Sequence, residues 1–112
     1  MPQATEVEKD QSLLNENFEL YVINLDRSQD RWHRINTHFN DYGLVSQRIS
    51  ALDAKALPLE VLQKYYSSEK NQTNFFIALK PAEIACFLSH RKALETFINN
   101  SKKPFAIILE DD

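Results

Sequence analysis

The stretch "PFAIILEDD" sets three carboxylates, Glu110, Asp111 and Asp112, directly behind a short apolar run. Adjacent like charges repel, and taking them out of water is costly without a compensating cation. A hard divalent ion such as Mg²⁺ or Mn²⁺ supplies that compensation and accepts oxygen ligands. It also leaves positions open for a diphosphate, whose charge grows as it departs. Solvation explains an isolated acidic triplet equally well; the buried-strand character of "FAIIL" is what favours a metal. Ligands of open α/β sheets collect outside the carboxyl ends of the strands, so the triplet is expected at that rim. Alternation along an extended chain predicts Glu110 and Asp112 on one side and Asp111 on the other.

The segment "KPAEIACFLSHRKALETFINNSKK" predicts a long helix before that strand, started by Pro81 and followed by Lys102–Lys103. It should run antiparallel to the strand and bring its N-terminus back to the same rim. Lys80 and the free amides near Pro81–Ile84 then favour an anion there, with Glu83 competing for the same positive end. Ile84, Phe87, Leu88, Arg91, Leu94 and Ile98 are predicted on one face. His90 falls at the edge of that face, as a half-buried structural or donor-side residue rather than a general base. Ser89 points away from it, because helical neighbours diverge by about 100°. Cys86 is expected in the core; as the sole cysteine it makes no internal disulfide, and no metal-ligand partner is assigned to it at useful spacing. His33 and His38 read as surface residues.

These groups need a scaffold. "FELYVINLD" reads as a strand covered on both faces, as in a parallel sheet. In "RSQDRWHRINTHFNDYG", Trp32, Ile35, Phe39 and Tyr42 form one helical stripe, Gly43 is the stop, and Ser28 or Asp26 is the cap. "LVSQRISALDA" is a second strand ending near Ala51–Asp53, and "LPLEVLQKYYSS" a short helix with Pro58 in its first turn. Residues 67–76 read as a loop returning to the core at Phe75–Leu79. Residues 1–17, polar and acidic, read as a flexible lead. Strand, helix, strand, helix, strand gives an α/β fold with a mostly parallel sheet flanked by helices. It looks like an incomplete half of a Rossmann-like domain, in which the last strand exposes an edge open to self-association.

The chain has 112 residues, enough for one small domain or part of a larger one. Its single glycine excludes a glycine-rich phosphate loop. Residues 1–19 and the terminal triplet are acidic and the middle is weakly basic, too scattered for a nucleic-acid footprint but suited to a small anion or to plain solvation. No apolar run is long enough to span a membrane, and no secretory signal precedes the domain. With one cysteine, a cytoplasmic setting follows.

The blocks "YVINLDRSQDR", "RISALDA", "KPAEIACFLSHRKALETF" and "AIILEDD" stand in the order found in glycosyltransferase family 25, which the chain resembles over roughly residues 20–112. The family's customary Asp-Gly is replaced here by Asp53–Ala54, so a different turn is expected. The resemblance implies a GT-A-like fold that binds a nucleotide sugar, with "EDD" as a variant Asp-x-Asp metal and diphosphate motif. It implies a UDP-hexose donor, galactose foremost, a Mn²⁺ or Mg²⁺ ion held by Glu110, Asp111 and Asp112, and a carbohydrate acceptor in lipopolysaccharide or lipooligosaccharide. By position, Asn24, Leu25, Asp26 and Arg27 lie beside the nucleotide, with Arg31 one helical turn on. Arginine suits phosphate or uracil, although helix-surface charge explains Arg27 and Arg31 as well. Peripheral attachment at the inner membrane stays open. The catalytic base is expected in sequence after the metal motif, so residues 18–112 read as the donor-side portion of such a domain, truncated after that motif and inactive alone. The alternative is a non-catalytic remnant kept as a binding or oligomerising module. A phosphotransfer receiver domain fits poorly, since its acidic pair follows the first strand.

Overall fold

The computed structural model describes residues 5–65 and 80–112. In chain order the elements are α1 (Glu6–Asn17), β1 (Phe18–Asn24), α2 (Gln29–Asp41), β2 (Gln47–Ser50), a 3₁₀ turn (Ala54–Ala56), α3 (Leu59–Tyr65), α4 (Pro81–Asn100) and β3 (Phe105–Glu110). The expected loop at 67–76 and its return at Phe75–Leu79 lie outside the described residues.

The three strands form one open parallel sheet in the order β2-β1-β3, an α/β arrangement of Rossmann-like topology. β1 is central, and all but its first residue are buried, which is why its sequence is almost continuously apolar. Tyr21, Ile23 and Ile49 form the core of one face with Ala93 of α4; Phe97, Ala106 and Ile108 pack around them. Ala93 is fully buried, so α4 approaches the sheet closely. β3 is an edge strand, and the side chains that point away from α4, Phe105, Ile107 and Leu109, stay partly exposed.

The buried face of α4 is Ile84, Ala85, Leu88, Ser89 and Ala93: Ile84 and Leu88 of the expected stripe are buried, and the small residues beside them replace the rest. Phe87, Leu94 and Ile98 are exposed. Small residues win the contact because they let the helix axis lie close to the sheet, where more of the backbone is shielded. Cys86, expected in the core, is exposed for the same reason.

The stretch expected to be a flexible lead forms α1. Thr5 and Glu8 make a capping box: the Thr5 hydroxyl accepts from the Glu8 amide at 3.1 Å and the Glu8 carboxylate accepts from the Thr5 amide at 3.1 Å. Asn15 then pins the helix to the turn after α2, donating to the Gly43 carbonyl at 2.7 Å and accepting from the Val45 amide at 3.1 Å.

That turn ends α2 as the sequence predicts. Gly43 has φ 73°, the left-handed conformation. The Gly43 amide donates to the Asn40 carbonyl and that of Leu44 to the Phe39 carbonyl, both at 2.9 Å, a Schellman pair. At the other end Ser28 is the N-cap residue, but its side chain makes no capping bond. A Cβ at position 43 would also lie 2.8 Å from the Gln11 side chain. Gly43→Ala is therefore expected to lower the unfolding free energy by about 1–2 kcal/mol, readable as a shift of the urea midpoint. An unchanged midpoint would mean that the turn does not hold this conformation in solution.

Candidate functional site

The pairing register sets Asn24 opposite Ser50 and Ile23 opposite Glu110, so all three strands end level. The segments that follow them and the first turns of α4 enclose an open cleft of about 360 Å³. Leu25, Arg27, Arg31, Asp53, Ala82, Cys86 and all three terminal carboxylates line it. Three cations (Arg27, Arg31, Lys55) thus face four carboxylates across one small volume. The acidic tip of β3 and the start of α4 share this rim, as the helix-before-strand order requires. Lys80 stands exposed at the N-cap of α4, and neither it nor Glu83 lines the cleft.

Asn24 organises the rim. It is 1% exposed. Its amide nitrogen donates to the Ser28 carbonyl at 3.0 Å and to the Asp111 carboxylate at 2.7 Å. Its side-chain oxygen accepts from Arg48 Nε at 2.8 Å, and its backbone carbonyl accepts from Arg48 Nη2 at 3.0 Å and the Ala51 amide at 2.9 Å. Both amide hydrogens are thereby engaged. Asn24 ties the ends of all three strands together, and its place in the site is to position other groups.

Asp26 turns away toward β2, accepting from Arg48 at 2.5 Å and from the Ser50 hydroxyl at 2.7 Å. Those two hydrogen bonds, to Arg48 first, hold its carboxyl below the usual range. Arg27 pairs with Asp53 across the cleft, joining the segment after β1 to the one after β2. The Lys55 amide bond to Asp53, followed by the Arg27 bond, lowers that carboxyl too. Asp53 caps the 3₁₀ turn, and no described non-glycine residue has positive φ, so Ala54 is accommodated there without strain. Sequence reading left Asp53 without a role; its position beside Arg27 emerges only when the two segments meet.

A carboxyl whose folded pKa is depressed contributes stability above its unfolded value and loses it as pH falls through the folded one. Asp26 is exposed and Asp53 only half-buried, so the contribution is modest. Urea midpoints are expected to hold steady above about pH 5 and to fall on acidification below about pH 4. The double variant Asp26→Asn, Asp53→Asn is expected to show a shallower fall. An identical acid profile in that variant would remove these two carboxyls from the balance.

Glu110 and Asp111 part to opposite sides, as alternation predicts. Asp111 faces β1 and α2, bonded to Asn24 and 3.8 Å from Arg31 Nη1. Glu110 faces α4: the Cys86 thiol donates to its carboxylate at 3.3 Å, and His90 Nε2 lies 3.9 Å away. Asp112 is exposed, with no hydrogen bond or ion pair among the described residues. The three carboxylates therefore reach one rim without converging on one point. His90 is half-buried, as expected, and meets the rim through Glu110 rather than by lining the cleft. The Glu110 hydrogen bond first, then burial and the Glu110 and Asp112 charges, push the Cys86 thiol up, so it is held as the protonated donor.

Two sequence expectations are corrected here. Cys86 has ligand-type neighbours after all: its sulfur, His90 and Glu110 present three ligand atoms within 4.8 Å of one another. The i, i+4 spacing of Cys86 and His90 stacks them on one helical face, and β3 adds the carboxylate. Ser89 does not point away from the packed face. It is 2% exposed, donates to the Ala85 carbonyl at 2.7 Å and accepts from the Leu52 amide at 2.9 Å. It holds the segment after β2 against α4, and so shapes the cleft wall.

A parallel sheet whose strand ends carry paired charges beside a helix start defines an open, Rossmann-like α/β domain with a charged rim. The chain belongs to glycosyltransferase family 25, described as a lipopolysaccharide (LPS) biosynthesis protein, whose sequence profile matches residues 17–112. No curated protein and no solved structure matches it. Membership in this family implies a sugar donor and an acceptor as partners. Among the described residues no helix is long and apolar enough to cross a membrane.

Proposed function

We propose that this domain carries the donor side of a metal-dependent hexosyltransferase. A UDP-hexose, galactose being the sugar the resemblance implies, gives its sugar to a hydroxyl of a lipopolysaccharide or lipooligosaccharide acceptor. The observation that carries this reading is the cleft itself, lined by Arg27, Arg31, Glu110 and Asp112 together with Ala82 at the start of α4.

The donor set suits a hard divalent ion in part. Asp112 has no hydrogen bond or ion pair among the described residues and lines the same cleft as Glu110, so these two would hold Mn²⁺ or Mg²⁺. Asp111 is already matched by Asn24 and Arg31 and supports the rim from the other side. Such an ion supplies charge neutralisation for a departing diphosphate.

The remaining residues bind and orient. Arg27, held by Asp53, and Arg31, beside Asp111, present guanidinium groups suited to phosphate oxygens. Leu25 and Leu52 offer apolar wall for a base. In the transfer, the acceptor oxygen bonds to the anomeric carbon as the bond from that carbon to the diphosphate oxygen breaks. UDP takes the bonding electrons, and the hydroxyl proton passes to a base to which no residue is assigned.

Isothermal titration with UDP, with and without Mn²⁺, tests the reading. Heat that requires both partners is expected. Absence of metal-dependent heat would favour the non-catalytic module over the transferase.

A further inference from the structure

Cys86 and His90 lie one turn apart on α4, and Glu110 projects toward both from the last residue of β3. We propose that these three side chains form a second site, sharing Glu110 with the proposed donor metal, for a borderline-soft divalent cation of the Zn²⁺ class, with water completing a four-coordinate shell. It stands apart from the transferase reading, since it needs neither nucleotide nor Asp112.

The geometry is close to what such an ion requires. Tetrahedral bonds of about 2.0 Å to nitrogen or oxygen and about 2.3 Å to sulfur separate neighbouring ligand atoms by about 3.3–3.6 Å. Here sulfur and carboxylate oxygen are 3.3 Å apart, imidazole nitrogen and the same oxygen 3.9 Å, and all three atoms lie within 4.8 Å. Rotamer adjustments of about an ångström close the shell.

The supports are stiff. Ala85, Leu88 and Ser89, interleaved with the ligands on α4, are buried against the sheet, and Glu110 is held in register with Ile23 of the central strand. Chemistry separates this site from the carboxylate rim. A thiolate and an imidazole select Zn²⁺ over Mg²⁺, whereas Asp112 offers only oxygen. Convergence of three different ligand types from two elements carries the inference, rather than the thiol by itself. Because Glu110 serves both sites, Zn²⁺ bound here is expected to compete with Mn²⁺ for that carboxylate.

Titration of the full, tag-free chain with Co²⁺ reads the site directly. One equivalent is expected to raise a thiolate-to-cobalt charge-transfer band together with the intense visible bands of four-coordinate cobalt, and Zn²⁺ is expected to bleach both. Cys86→Ala should abolish the charge-transfer band. His90→Gln and Glu110→Gln should each weaken binding by at least about tenfold, since even loss of an outer-shell partner costs that much. Asp112→Asn should keep the cobalt spectrum while losing Mn²⁺-dependent UDP heat, so the two sites fail separately. Cys86 is exposed, and circular dichroism of its variant verifies folding. A chain that gives no charge-transfer band at saturating Co²⁺ would overturn the proposal. So would a band unaffected by both His90→Gln and Glu110→Gln, which would mark adventitious thiol binding.

Discussion

Asn24→Ala is expected to lower the unfolding free energy by about 2–4 kcal/mol, the largest effect of any single polar substitution on the rim. The substitution removes three side-chain hydrogen bonds, two of them to charged partners, Arg48 and Asp111. Bonds to charged groups are worth about 1.5–3 kcal/mol each when buried. Full loss of both is not expected, because Arg48 keeps the Asn24 carbonyl and Asp26, and Asp111 reaches water in the cleft. Asn24→Asp conserves volume but sets a second carboxylate against Asp111, so it should be no better tolerated. Urea unfolding measures both variants. A loss below about 1 kcal/mol for Asn24→Ala would show that the strand ends are held together by packing alone. The Asn24→Ala variant should also weaken UDP binding, since Asp111, the carboxylate beside Arg31, loses its hydrogen bond to Asn24.

Asp112→Asn is the second large effect, and it should fall on binding rather than folding. Asp112 is exposed and has no hydrogen bond or ion pair among the described residues, so stability should move by no more than about 0.5 kcal/mol. Removing a charged oxygen ligand from a divalent ion is worth about 1.5–3 kcal/mol, or about 10–100-fold in Mn²⁺-dependent UDP affinity. Isothermal titration at matched ionic strength separates the two readouts. Unchanged metal-dependent affinity would remove Asp112 from the donor site. Asp111→Asn is expected to behave differently, costing stability as well, because its carboxylate is matched by Asn24 and Arg31. That contrast between neighbouring aspartates follows from the partners that Asp111 has and Asp112 lacks among the described residues, and is the sharper test of the geometry.

Much of the scaffold was legible in the sequence because local signals are strong there. β1 announces itself by an unbroken apolar run, and burial on both faces is the reason. Gly43 marks the end of α2 because only a left-handed residue closes the Schellman pair. Pro81 marks the start of α4. α1 was missed, since the stretch reads as a flexible lead, although "TEVE" carries a capping-box pattern hidden among polar residues with no clear apolar face. The face of α4 misleads for a different reason. Its largest apolar side chains are the most conspicuous, yet contact with a sheet at close range selects Ala85, Ser89 and Ala93.

What the sequence alone determined is local and one-dimensional: which runs extend, which coil, and that Glu110 and Asp111 leave the last strand on opposite sides. Those follow from backbone sterics and side-chain periodicity, which act within a few residues. What the tertiary structure decided is which charges meet. Arg27 finds Asp53 across 26 positions, Asn24 finds Asp111 across 87, and Cys86 finds Glu110 across 24. No local rule encodes such pairs, because they exist only once parallel pairing has brought the ends of β2, β1 and β3 level around the start of α4.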